Sequence, residues 1–169
     1  VKQRISLSVS AAALWLCGAA AGHAATLPQR QPGLWQSTTT VTGPDGQTLP
    51  GGNNVVSVSC VDPATDIKFF VIGAGQCSKL MIGGTGPYTI DGTCPQNGKP
   101  ATIHETLVYE DAQTVVLNAV LNGGGGPITV NSALKYQGDC LPGMVPGDEG
   151  SIDNGMFTKT DNVNDTDNQ

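Results

Sequence analysis

The chain has 169 residues, a formal net charge of -6 and only 13% charged residues, alongside 23 glycines and 11 prolines. That length holds one domain, and so much glycine and proline with so little charge points to short strands and turns, not long helices. The acidic balance also argues against phosphate backbones and anionic lipid headgroups, so no nucleic-acid partner is expected.

Residues 1–24 read as a removable leader. Lys2 and Arg4 give a positive start, residues 5–21 carry no charge, and Gly22-His23-Ala24 places small residues where a signal peptidase reads, so cleavage is expected after Ala24. The stretch is rich in Ala, Gly and Ser, too weakly hydrophobic for a retained membrane anchor, although its length approaches that of a span. Cys17 follows Leu14-Trp15-Leu16, with a bulky Leu where a lipoprotein peptidase needs a small residue. The expected location is therefore the periplasm, or the medium, with no stable membrane anchor after cleavage.

Residues 25–140 read as one disulfide-bonded β-domain. After a linker at 26–31, Pro32-Gly33-Leu34-Trp35 opens a Ser/Thr-rich strand over 35–41, and Gly43-Pro44-Asp45-Gly46 turns the chain. A second strand covers 55–60. Asp62-Pro63 then carries the signals of a helix start, an N-cap carboxylate followed by proline, for a short helix ending near Phe70. Five further strands follow, at 79–82, 88–94, 101–110, 115–121 and 128–136. Ile103, Leu107 and Tyr109 share one face of their strand, as do Val115, Leu117, Ala119 and Leu121, and Ile128, Val130, Leu134 and Tyr136. Such alternation buries one face and wets the other, the habit of antiparallel sheets. The expected fold is all-β: an antiparallel meander forming a curved sheet or small open barrel, with one short helix. Residues 141–169, dominated by Gly, Asp, Asn and Pro, read as an acidic disordered tail. The spacing of its aspartates fits no EF-hand calcium loop.

Beyond the leader, four cysteines remain: Cys60, Cys77, Cys94 and Cys140. An even number in an exported chain reads as two disulfides, and three connectivities are open. The preferred one joins Cys60 to Cys77 across a local loop and Cys94 to Cys140, tying the last strand to the middle of the sheet.

Candidate chemistry is sparse. His104 shares a face with Thr102 and Thr106 and is expected to face solvent. A triad of Ser132, His104 and Asp139 can be written down, but nothing in the spacing supports it. Strict alternation puts Glu105 between Ile103 and Leu107 on the apolar face, where burial would raise its pKa. The simpler expectation is a bulge, or a place near the sheet rim, that lets it reach water. Trp35 is expected to anchor the core, with ligand stacking as the alternative. The sequence has no Gly-x-Ser-x-Gly elbow and no Cys/His or paired-His metal motif, and the glycines at 123–126 lead into Pro127-Ile128 and make no phosphate loop. Neither cofactor nor metal is expected.

The framework resembles an exported bacterial family, domain of unknown function family 3617. The resemblance rests on Pro32-Gly33-Leu34-Trp35, Cys60 followed by Pro63, then Cys77, Cys94 and a closing Gly138-Asp139-Cys140. It implies an envelope location and a β-rich fold, and it supplies no catalytic residue. The family typically places Glu after the tryptophan, where this chain has Gln36. The expected function is a non-catalytic binding or interaction module with an unknown protein partner. The alternative is a carrier of a small apolar ligand inside the curved sheet, and the third reading is a hydrolase-type enzyme using His104 or Glu105.

Overall fold

The computed structural model describes residues 25–71, 77–96 and 99–165; the leader expected at residues 1–24 lies outside them. Among the described residues the chain forms β1 (Gly33–Thr42), β2 (Val55–Val61), α1 (Asp66–Val71), β3 (Ser78–Gly84), β4 (Tyr88–Gln96), β5 (Lys99–Asp111), β6 (Thr114–Gly123), β7 (Gly126–Gly138), β8 (Asp148–Asp153) and β9 (Met156–Asn162). All nine strands join one antiparallel sheet in the order β3-β4-β5-β6-β7-β1-β2-β8-β9. The sheet is open, with β3 and β9 at its edges. The meander expected from the alternation runs from β3 to β7, and β1 returns to pair with β7.

Register carries one inner face across the sheet. Trp35 lies opposite Tyr136 and Ser37 opposite Leu134. Leu134 lies opposite Val115, Leu117 opposite Leu107, and Leu107 opposite Tyr88. Trp35, Val61, Phe70, Ile90, Leu107, Val115 and Leu134 form the core on this face. Each large side chain buried there contributes roughly 1.5–3 kcal/mol of transfer free energy. Phe70 comes from α1, so the helix lies over the inner face. Its start is set locally: the Asp62 carboxylate accepts from the backbone N–H of Ala64 and of Thr65, at 3.0 and 2.8 Å.

Two expectations fail. The disulfides are Cys60–Cys140 and Cys77–Cys94, not the Cys60–Cys77 and Cys94–Cys140 preferred above. Strand order explains why: α1 carries the chain from β2 to the far edge, leaving β4, β5, β6, β7 and β1 between Cys60 and the β3 edge. Cys140, just beyond β7, reaches Cys60 across β1. The second failure is the tail. Residues 148–162 form the hairpin β8–β9, which extends the sheet through Val58↔Gly150 and Ser59↔Glu149.

That hairpin is held by polar groups, and so its sequence reads as disorder. Asp148 is only 3% exposed. Its carboxylate accepts from Val145 N and Asn162 Nδ2, both at 2.8 Å, and pairs with Lys159 at 2.9 Å. Burial alone would raise the Asp148 pKa, but these donors outweigh it and hold it below the ordinary value. Gly150 has no room for a side chain, since a Cβ would strike the Thr158 carbonyl across the hairpin.

Peptide mapping without reduction will recover Cys60–Cys140 and Cys77–Cys94. In the chain-entropy view the first, closing 80 residues, stabilises by about 4–5 kcal/mol and the second, closing 17, by about 3 kcal/mol. Cys60→Ser with Cys140→Ser should therefore lower unfolding free energy more than Cys77→Ser with Cys94→Ser, as read by urea denaturation.

Candidate functional site

The segment expected to be a linker packs onto the domain through Arg30, which is 3% exposed. Its backbone N–H donates to Asp66 Oδ2 at 2.8 Å and its Nε to Asp66 Oδ1 at 2.7 Å. The guanidinium carbon lies 5.1 Å from the ring centre of Trp35, 5.5 Å from that of Phe69 and 4.6 Å from that of Phe70. Burial pushes the guanidinium pKa down, and Asp66 opposes that shift. Nη1 and Nη2 are buried and meet no acceptor among the described residues. A guanidinium carries five donors and here only Nε–H is bonded, so burial of this kind is costly.

Arg30 also lines a cleft of about 200 Å³ on the inner face of the sheet. Ser37 and Thr39 reach it from β1, Ser57 and Ser59 from β2, Leu117 from β6, and Val130, Ser132 and Leu134 from β7. Phe69 and Phe70 border it from α1 and Glu149 from β8. The hydroxyls pair across the sheet, Ser37 with Ser57 at 2.7 Å and Thr39 with Ser132 at 2.8 Å. Each pair consumes one of its two hydroxyl protons, which leaves one donor and several lone pairs for another group. Burial, and then Asp161, push the Glu149 pKa up, while Arg30 draws it back.

The positioning is local in origin. Ser37 and Thr39 alternate with Gln36 and Thr38 along β1, so both follow Trp35 onto the inner face. The entry to β1 depends on Gly33 at φ 135°, a conformation that L side chains rarely adopt. A Cβ there would also run into the Gly138 carbonyl and the Tyr136 ring. Trp35 is 1% exposed and donates its indole N–H to Gln31 O at 2.8 Å. It lies against Tyr136 edge to face, with ring centres 6.0 Å apart.

The structure separates the other candidates. His104 is exposed on the opposite face of β5, its Nδ1 2.6 Å from Asp91 Oδ1 on β4. Ser132 lies on the inner face, so the paper triad of Ser132, His104 and Asp139 does not assemble. Glu105 reaches neither rim nor bulge. The strand is regular there, with Glu105 between Ile90 and Ala119. It is 4% exposed, and burial raises its pKa to about 7. Among the described residues its Oε1 meets no partner, nor does the hydroxyl of Tyr109 two positions further along the same face. Among the described residues no group of three or more His, Cys, Asp or Glu could hold a metal ion, and no helix is long and apolar enough to cross a membrane.

Sequence reading missed Arg30, Asp66, the inward hydroxyls and Glu149. The available signals were an arginine just before Pro32-Gly33-Leu34-Trp35 in a chain of few charges, the Phe69-Phe70 pair, and hydroxyls at alternate positions of the first two strands.

Two stability measurements follow. Asp66→Ala strands a buried cation and should cost about 3–5 kcal/mol by urea unfolding, whereas Arg30→Met with Asp66→Leu should cost far less. The Glu105 pKa is raised above its unfolded value, so the native state prefers the neutral acid. Its stability is unpenalised below about pH 4.5, falls as pH rises towards 7, and is lower by about 3 kcal/mol above that. Glu105→Gln should therefore raise the melting temperature at pH 8 and leave it nearly unchanged at pH 4.

Residues 30–140 match the sequence profile of a family described as protein of unknown function (DUF3617). Neither the curated proteins nor the solved structures yield a match to this chain. The match spans the core of the sheet from Arg30 to the disulfide-bonded Cys140, well over half of the chain, and the protein belongs to the DUF3617 family.

Proposed function

We propose that this protein is an exported, non-catalytic module of the bacterial envelope that binds a small ligand in the inner-face cleft. The cleft carries the reading. Within about 200 Å³ it combines the side chains of Phe69, Leu117 and Leu134 with paired hydroxyls and a buried arginine that keeps unspent donors. Binding sites have this makeup, an apolar lining with a few placed polar groups. Filled core does not, because core positions on a strand favour Val, Ile and aromatic side chains over serine. The non-catalytic part is supported by the distribution of reactive groups. His104 and Ser132 stand on opposite faces of the sheet, and among the described residues His104 bonds the Asp91 carboxylate and no Ser, Thr or Cys side chain.

Export is supported by the charged, apolar and small-residue regions of residues 1–24 and by the two disulfides, which persist in oxidising compartments.

The test is the intact mass of protein purified from periplasm, first under native and then under denaturing conditions. The denatured mass should lack residues 1–24 and the four thiol hydrogens of the two disulfides. The native mass should exceed it by one discrete small molecule. A retained leader would sink the export reading. A bare native mass would sink the ligand reading and turn the search to protein partners.

A further inference from the structure

Building on the ligand-binding reading, we infer that the cleft takes an uncharged molecule, a carbonyl or hydroxyl oxygen at one end accepting from Arg30 and an apolar body lying along α1. Three observations converge on this chemistry. Arg30 is 3% exposed, lines the cleft, and has Nη1 and Nη2 without an acceptor while Nε is held by Asp66. Two nitrogens carrying four N–H donors on one rigid planar group call for an acceptor, since leaving them buried and unbonded forgoes the strongest hydrogen bonds available there.

Charge then selects among acceptors. Guanidinium groups commonly take carboxylate or phosphate, but this one already faces the Asp66 carboxylate at 2.7 Å. Glu149 borders the same cleft and interacts electrostatically with Arg30. An anionic ligand would add a further negative group beside one cation whose guanidinium is itself shielded from solvent. A neutral oxygen accepts the same hydrogen bonds without that repulsion.

Shape selects the remainder. Phe69, Phe70, Leu117 and Leu134 offer an apolar surface, while Ser37, Ser57, Thr39 and Ser132 retain donors along the strands. A volume of about 200 Å³ admits a molecule of roughly ten heavy atoms, amphipathic along its length.

Octanamide and octanoate share this size and differ in charge, and they make the probe pair. Each is titrated at pH 8 into folded, 15N-labelled protein, with the Arg30 side-chain and Trp35 indole N–H resonances followed by NMR. Octanamide should bind, shift the Arg30 Nη resonances, and bind at least about tenfold tighter than octanoate. Arg30→Lys, which keeps charge but loses the planar fork, should weaken octanamide by about tenfold. Should that variant not fold, Thr39→Val, nearly the same shape without the hydroxyl, should weaken octanamide several-fold. Octanoate binding as tightly as octanamide, or octanamide binding without moving Arg30, overturns the inference and leaves the ligand-binding reading standing. So does a failure of both probes when the periplasmic protein carries a bound mass. Failure of both probes with a bare native mass overturns both together.

Discussion

A guanidinium taken out of water needs a carboxylate in contact and a surface that tolerates its flat faces, and Arg30 finds both in groups brought by different parts of the chain. Asp66 comes from the first turn of α1, Trp35 from the start of β1, and Phe69 and Phe70 from the body of the helix. The pair therefore decides where the segment before the sheet lies and how α1 sits over the inner face. Once α1 is seated, Phe70 completes the core and Phe69 borders the cleft. If Asp66 were elsewhere, neither the helix nor the segment at 25–31 would have reason to close that side of an open sheet.

Stability and binding draw on the same elements. The inner face is mainly apolar from β4 to β7, through Ile90, Leu107, Val115 and Leu134, and turns to hydroxyls at Ser132 and where β1 and β2 continue it. A domain of this size can leave part of its inner face polar because two crosslinks contribute what a fuller core would otherwise supply. Cys60–Cys140 ties β2 to the segment beyond β7, across β1, at the polar end of the sheet. Cys77–Cys94 pins the β3 edge to β4. Glu105 and Tyr109, each with an unpartnered oxygen on the inner face, show that polar groups are not confined to the cleft.

The strands were legible because their side chains alternate, and a period of two needs no tertiary information to be seen. Val115, Leu117 and Leu134 were assigned to the inner face from that pattern alone, and a short helix after the Asp62 cap from capping chemistry, although the helix begins at Asp66 and not at Pro63. The hairpin β8–β9 escaped because Asp148, Asn162 and Lys159 stabilise it by hydrogen bonds and charge, so its composition resembles that of a solvated tail. Glu105 escaped in the opposite sense. The alternation placed it inward, and the reluctance to bury a carboxylate argued against a placement that was correct.

Composition, alternation and cysteine count by themselves determined an antiparallel all-β domain with two disulfides, and the motifs from Pro32-Gly33-Leu34-Trp35 to Gly138-Asp139-Cys140 carried the resemblance to DUF3617. Those properties are local or additive, so they survive in a one-dimensional reading. Pairing of the cysteines, partnering of Arg30 with Asp66, and assembly of hydroxyls from three strands into one cleft were decided only by the tertiary structure. The physical reason is separation: Cys60 and Cys140 are 80 residues apart, and Thr39 and Ser132 are 93 apart. Contacts at such distances depend on the order in which strands lie side by side, and no local preference encodes that order.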